Sequence, residues 1–78
     1  MPRFYFDLVN DGVTIEDQDG LFIGQVEDAE MQSAAMLGEL LFASASIEMP
    51  KTLAVLIKDD QGALIARVTL ALTSERQT

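Results

Sequence analysis

Residues 15–23 read Ile-Glu-Asp-Gln-Asp-Gly-Leu-Phe-Ile. The Asp17-Gln18-Asp19-Gly20 step inside them has the residue types found in the middle of a calcium loop. An EF-hand loop takes side-chain oxygens at positions 1, 3 and 5, Gly at 6 and a bidentate Glu at 12. With Gly20 at position 6, Asp19 falls at 5 and Asp17 at 3. Positions 1 and 12 then fall on Ile15 and Val26, both apolar, and Glu27 comes one residue late. No helical pattern enters the step. A tight turn between two extended segments accounts for every residue, with Gly20 supplying left-handed backbone. The expectation is therefore a turn, with no metal and no cofactor.

The other reactive residue types are also placed for structure. The chain has no histidine and no cysteine. That removes the commonest general base, the commonest zinc ligand and any thiolate site together. Ser33, Ser44 and Ser46 have no histidine to activate them. The five glycines, Gly12, Gly20, Gly24, Gly38 and Gly62, stand apart and form no phosphate loop. A catalytic carboxylate pair needs two acids converging in a pocket, one with a raised pKa. The 13 acids fall mainly in turns, in the first turn of a helix and on outer strand faces. A cross-sheet pair such as Asp7 with Arg67 reads as a surface ion pair of little energetic weight. No catalytic residue is assigned, and a non-enzymatic protein is expected.

Charge narrows the partners. The net charge is −8, and the five cations, Arg3, Lys51, Lys58, Arg67 and Arg76, are scattered. A nucleic acid or an anionic membrane surface would repel such a chain. No apolar run approaches the roughly 18 residues of a spanning helix. The start Met-Pro-Arg-Phe-Tyr-Phe-Asp lacks the parts of a signal peptide, so the cytoplasm is the expected location.

The elements that position these residues follow from periodicity. Residues 3–9 alternate, with Phe4, Phe6 and Leu8 on one face and Arg3, Tyr5 and Asp7 on the other. Tyr5 is thus a strand-favouring residue with its hydroxyl toward water. Asn10-Asp11-Gly12 suits a hairpin turn, and residues 13–16 resume alternation. Leu21-Phe22-Ile23 reads as an extended apolar link with its side chains in the core. From Val26 to Ile47 the pattern is helical, with Glu27, Asp28 and Glu30 at the start, where the helix dipole favours acids. Pro50 stops it. Residues 52–58 are apolar on both sides and read as a central strand. Asp59-Asp60-Gln61-Gly62 is a second turn, and residues 63–73 form a long last strand. The expected fold is α+β, a β-hairpin–helix–β-hairpin (ββαββ), with one antiparallel sheet covered on one face by one helix. Residues 1–73 form the single domain and 74–78 a flexible tail. The expected core comprises Phe4, Phe6, Leu8, Ile15, Leu37, Leu40, Val55 and Val68.

With this order in hand, nearly the whole chain resembles a family of small uncharacterised bacterial proteins, common in rhizobia, that carries a domain-of-unknown-function label. The resemblance rests on Met1-Pro2-Arg3-Phe4-Tyr5-Phe6-Asp7-Leu8, Asn10-Asp11-Gly12, Asp17-Gln18-Asp19-Gly20 and Asp59-Asp60-Gln61-Gly62. It implies the same strand, turn and helix order, and no functional residue, since no activity is established for such proteins. The helix departs from the family pattern in having no Arg or Lys between Val26 and Ile47. A weaker resemblance is to HicB-like antitoxins, which begin with a hairpin leading to an acid-capped helix. It implies a regulatory protein binding a partner protein, but the usual Pro-Gly-Cys step is missing.

The helix carries the main functional expectation. At roughly 100° per residue, Val26, Ala29, Ser33, Met36, Leu37, Leu40 and Ser44 share one stripe, continued by Ile47, that should face the sheet. Met31, Ala35, Gly38, Phe42, Ala45 and Met49 form a second stripe roughly opposite. That face should meet water and carry charge. Instead it is apolar or small, and such patches mark contacts. A homodimer through this helix face is expected, with another protein partner as the alternative occupant.

Overall fold

The computed structural model describes residues 2–43 and 51–77. The chain runs β1 (Arg3–Asn10), β2 (Val13–Ile15), β3 (Leu21–Phe22), α1 (Val26–Ala43), β4 (Lys51–Lys58) and β5 (Leu64–Leu72). All pairings are antiparallel, in the order β2-β1-β4-β5, with β3 also paired to β1. The α+β architecture expected from periodicity is present, enlarged by the two-residue strand β3. The double-sided apolar run of β4 does sit centrally, between β1 and β5.

Local chemistry explains the turns. Asp11 and Gly12 have φ of 50° and 82° between the paired Asn10 and Val13. Two positive φ values in a two-residue loop match the twist of the flanking strands. In the second hairpin the Asp59 carboxylate accepts the Gln61 and Ala63 amides at 2.9 Å each, and Gly62 takes φ 85°.

The core forms in rows across the sheet. Phe6 lies opposite Ile57 and Ile57 opposite Ala66; Leu8 lies opposite Val55 and Val55 opposite Val68. Phe4, Phe6, Leu53, Val55 and Ile57 are buried beneath Ala29 and Leu37 of α1. Leu8, Leu40 and Val68 pack half-buried against them. Ser33 shares this helix face and is fully buried; its hydroxyl donates to the Ala29 carbonyl at 2.9 Å. The helix's sheet-facing stripe is therefore as the periodicity describes it, although Ser44 and Ile47 lie outside the described residues.

Two core expectations are corrected. Ile15 is 59% exposed, and Leu21 and Phe22 are exposed as well; of the apolar link only Ile23 packs against the core. For Ile15 and Leu21, which lie opposite Leu8 and Phe4, the cause is coverage; Phe22 lies opposite Arg3, on the face away from α1. A helix is about 10 Å across and strands lie about 4.8 Å apart, so one helix covers about two strands. α1 packs on β4 and β5, which leaves β2 and β3 bare. Phe22 instead lies against the Arg3 guanidinium, 4.4 Å from its ring centre.

Candidate functional site

The Glu16–Gly20 step is a bulge in an edge that would otherwise be one strand. Phe4 pairs with Leu21 and Leu8 with Ile15. Between those pairs β1 has three residues, Tyr5 to Asp7, and the opposing segment has five, Glu16 to Gly20. The surplus loops out, and the Asp17 carboxylate fills the gap. Its Oδ2 accepts the Phe6 amide at 3.1 Å, and its Oδ1 accepts the amides of Asp19 and Gly20 at 3.1 Å each. Gly20 is required here. At φ +70° a Cβ would stand 2.9 Å from the Phe4 carbonyl oxygen, which is backbone and cannot swing aside.

The network continues into the sheet. The Asp17 amide donates to Asp7 Oδ1 at 3.0 Å, and Lys58 Nζ lies 2.8 Å from Asp7 Oδ2. The expected Asp7–Arg67 surface pair is thus corrected. Asp7 is only 4% exposed, and its cation is Lys58. Asp7 sits two residues from Tyr5, which is directly opposite Lys58, so the pair is diagonal across the strands. Such diagonal neighbours are within reach of a long side chain.

Burial pushes the Asp7 carboxyl up, but the Lys58 ammonium and the Asp17 amide outweigh it and hold it below the usual carboxylate range. Burial also pushes Asp17 up, and the amides of Gly20, Phe6 and Asp19 again prevail, so it too is lowered. The Asp7 carboxylate raises Lys58. Carboxylates depressed in the fold add stability that is complete above their unfolded value and is lost as pH falls through the folded one. Stability should therefore be flat near neutrality and fall below about pH 4. Urea unfolding of Asp7→Asn across that range is expected to show a shallower acid-side fall than wild type. Parallel curves would remove Asp7 from the linkage.

Around this network Tyr5, Glu16, Asp59 and Asp60 complete an open crevice of about 240 Å³. Within it Asp7, Asp17 and Lys58 are tied to one another and to backbone amides. A general acid needs a carboxyl raised toward neutrality and a nucleophilic lysine needs a lowered amine; here each shift runs the other way. Among the described residues no group of three or more acids is arranged to hold a metal ion. Sequence reasoning missed the Asp7–Asp17–Lys58 link. The available signal was Asp7 itself, a charge set between Phe6 and Leu8.

The second site is the outward face of α1. Met31 is 72% and Phe42 94% exposed; Ala35 is exposed and Gly38 half-buried between them. Ala45 and Met49 of the expected stripe lie outside the described residues. Beside Gly38, a cleft of about 210 Å³ opens between α1 and β5, lined by Ala34, Leu41 and the Val68–Leu70 stretch among others. Ala34 and Leu41 were not among the residues singled out in the sequence.

The family described as "Domain of unknown function (DUF6894)" matches residues 3–71. The chain belongs to that family. No curated protein and no solved structure matches it. The DUF6894 match runs from the first residue of β1 to the last but one of β5, so both sites lie wholly within it. It agrees with the resemblance to an uncharacterised family seen in the sequence. Among the described residues of this DUF6894 chain, no helix is long and apolar enough to cross a membrane.

Proposed function

We propose that this protein is a non-enzymatic, cytoplasmic protein-interaction module that self-associates through α1. The observation that carries the reading is Phe42, a large aromatic 94% exposed on a helix whose other side packs on the sheet. Met31 extends the same apolar face, and Ala35 and Gly38 between them allow close approach. The acidic crevice supports a non-catalytic role, because its carboxylates are engaged by backbone amides and Lys58. A net charge of −8 favours protein contacts over nucleic acid or anionic lipid.

Sedimentation velocity tests this. Wild type is expected to be dimeric at tens of micromolar, and Phe42→Glu to weaken association at least about 30-fold, the loss of one buried aromatic anchor. A monomeric wild type, or a dimer indifferent to Phe42→Glu, would refute the helix contact.

A further inference from the structure

The edge of β5 extends this reading. One side of β5 pairs with β4, and among the described residues no strand pairs with the other. Among the described residues, the backbone groups of Leu64–Leu72 that point away from β4 therefore have no strand partner. Edges of this length are usually blunted by lysine, proline or an inward charge. β5 has only the exposed Arg67, while Leu64 and Ile65 are also exposed.

Charge selects the occupant. Two copies of a chain with net charge −8 repel wherever their carboxylates meet. None of the 13 acids lies between Gln61 and Ser74. The opposite end of the sheet is flanked by Asp11, Glu16 and Asp19. A basic partner would be drawn to that acidic end, whereas a second copy meets no carboxylate along β5 itself.

Geometry agrees. α1 lies over β4 and β5. An axis midway between them stands about one strand spacing from a two-fold axis on the free side of β5, so the two helices would lie about 10 Å apart. That is within the usual packing distance of helices. At the level of Val68–Leu70 the flank of α1 presents Gly38, and a Cβ built there meets nothing within 4 Å. A two-fold axis near Val68 or Thr69 would thus set Gly38 against the Gly38 of the second copy, where backbones can approach most closely. Around the helix, Ala34 and Leu41 lie roughly 40–60° to one side of Gly38, and Met31 and Phe42 roughly 20–40° to the other. Ala34, Leu41 and Gly38 therefore form the flank beside β5, and Met31 and Phe42 border it on the outward side. Pairing about a residue also keeps Ala66, Val68 and Leu70 on the helix side of both copies.

We propose that two copies join by antiparallel pairing of their β5 edges around Val68–Thr69, giving one continuous sheet with the two α1 helices side by side along Gly38. This rests on the self-association proposed above and specifies its geometry. The absence of cysteine makes the test clean. Thr69→Cys places a thiol on the exposed face of β5, and Gln32→Cys places one on α1 away from the Gly38 flank. A short bis-maleimide spans the about 7–8 Å between diagonally opposed positions. Thr69→Cys is expected to cross-link most of the protein as a dimer, at least about tenfold more than Gln32→Cys. A wild type that sediments as a dimer, with Thr69→Cys cross-linking no better than Gln32→Cys, overturns edge pairing and leaves the helix contact standing. A monomeric wild type overturns both.

Discussion

Phe6→Ala is expected to destabilise the fold by about 3–5 kcal/mol, the usual cost of emptying a buried aromatic site. Phe6 is 5% exposed and stands opposite the fully buried Ile57 in the middle of the sheet. Its backbone holds the Asp17 bulge, so neighbours on both sides are constrained and the site cannot collapse freely. In a domain whose whole stability is of the order of 5–15 kcal/mol, that loss is close to unfolding. Urea denaturation at neutral pH measures it. The contrast is Ile15→Ala, at a residue 59% exposed, where a change within about 0.5 kcal/mol is expected. Near-neutral behaviour of Phe6→Ala would take Phe6 out of the core.

Asp17→Ala is expected to cost about 2–4 kcal/mol. The carboxylate accepts three amides, from Phe6, Asp19 and Gly20. Removing it leaves the partly buried Phe6 amide without its acceptor, and an unmet buried donor costs about 1–3 kcal/mol. Losing the two turn bonds adds to that. Asp17→Asn keeps one acceptor oxygen and should lose roughly half as much. Thermal and urea unfolding of the two variants decide the matter. A loss below about 1 kcal/mol for Asp17→Ala would show that water replaces the carboxylate at no cost and that the bulge needs no staple.

The sequence was most legible where one residue's chemistry acts on its own backbone. Alternation at Phe4, Phe6 and Leu8 assigned the first strand and its buried face. Asp11-Gly12 and Asp59–Gly62 announced their hairpins, and the stripe of Ala29, Ser33 and Leu37 announced which side of α1 meets the sheet. Ile15 and Leu21 were misjudged for one reason. Their alternation does put them on the sheet's helix side, but periodicity gives direction and not coverage, and α1 does not reach their strands.

The candidate sites divide in the same way. Asp17 was recognised as a turn residue, since a short carboxylate bonding nearby amides is local chemistry. That it also holds Phe6, and that Asp7 takes Lys58 and not Arg67, depends on strand order and register. The Met31–Phe42 face of α1 followed from helical rotation alone, whereas the β5 edge beside Gly38 required knowing which strand ends the sheet. Composition and periodicity by themselves determined the elements other than β3, the turns and the acid-free last strand, because these depend on contacts a few residues apart. Only the tertiary structure decided that β4 lies between β1 and β5, that Asp7 is buried beside Lys58, and that β2 and β3 stay bare. Those outcomes follow from pairings between residues as far apart as Tyr5 and Lys58, and from the limited width of a single helix laid on a wider sheet.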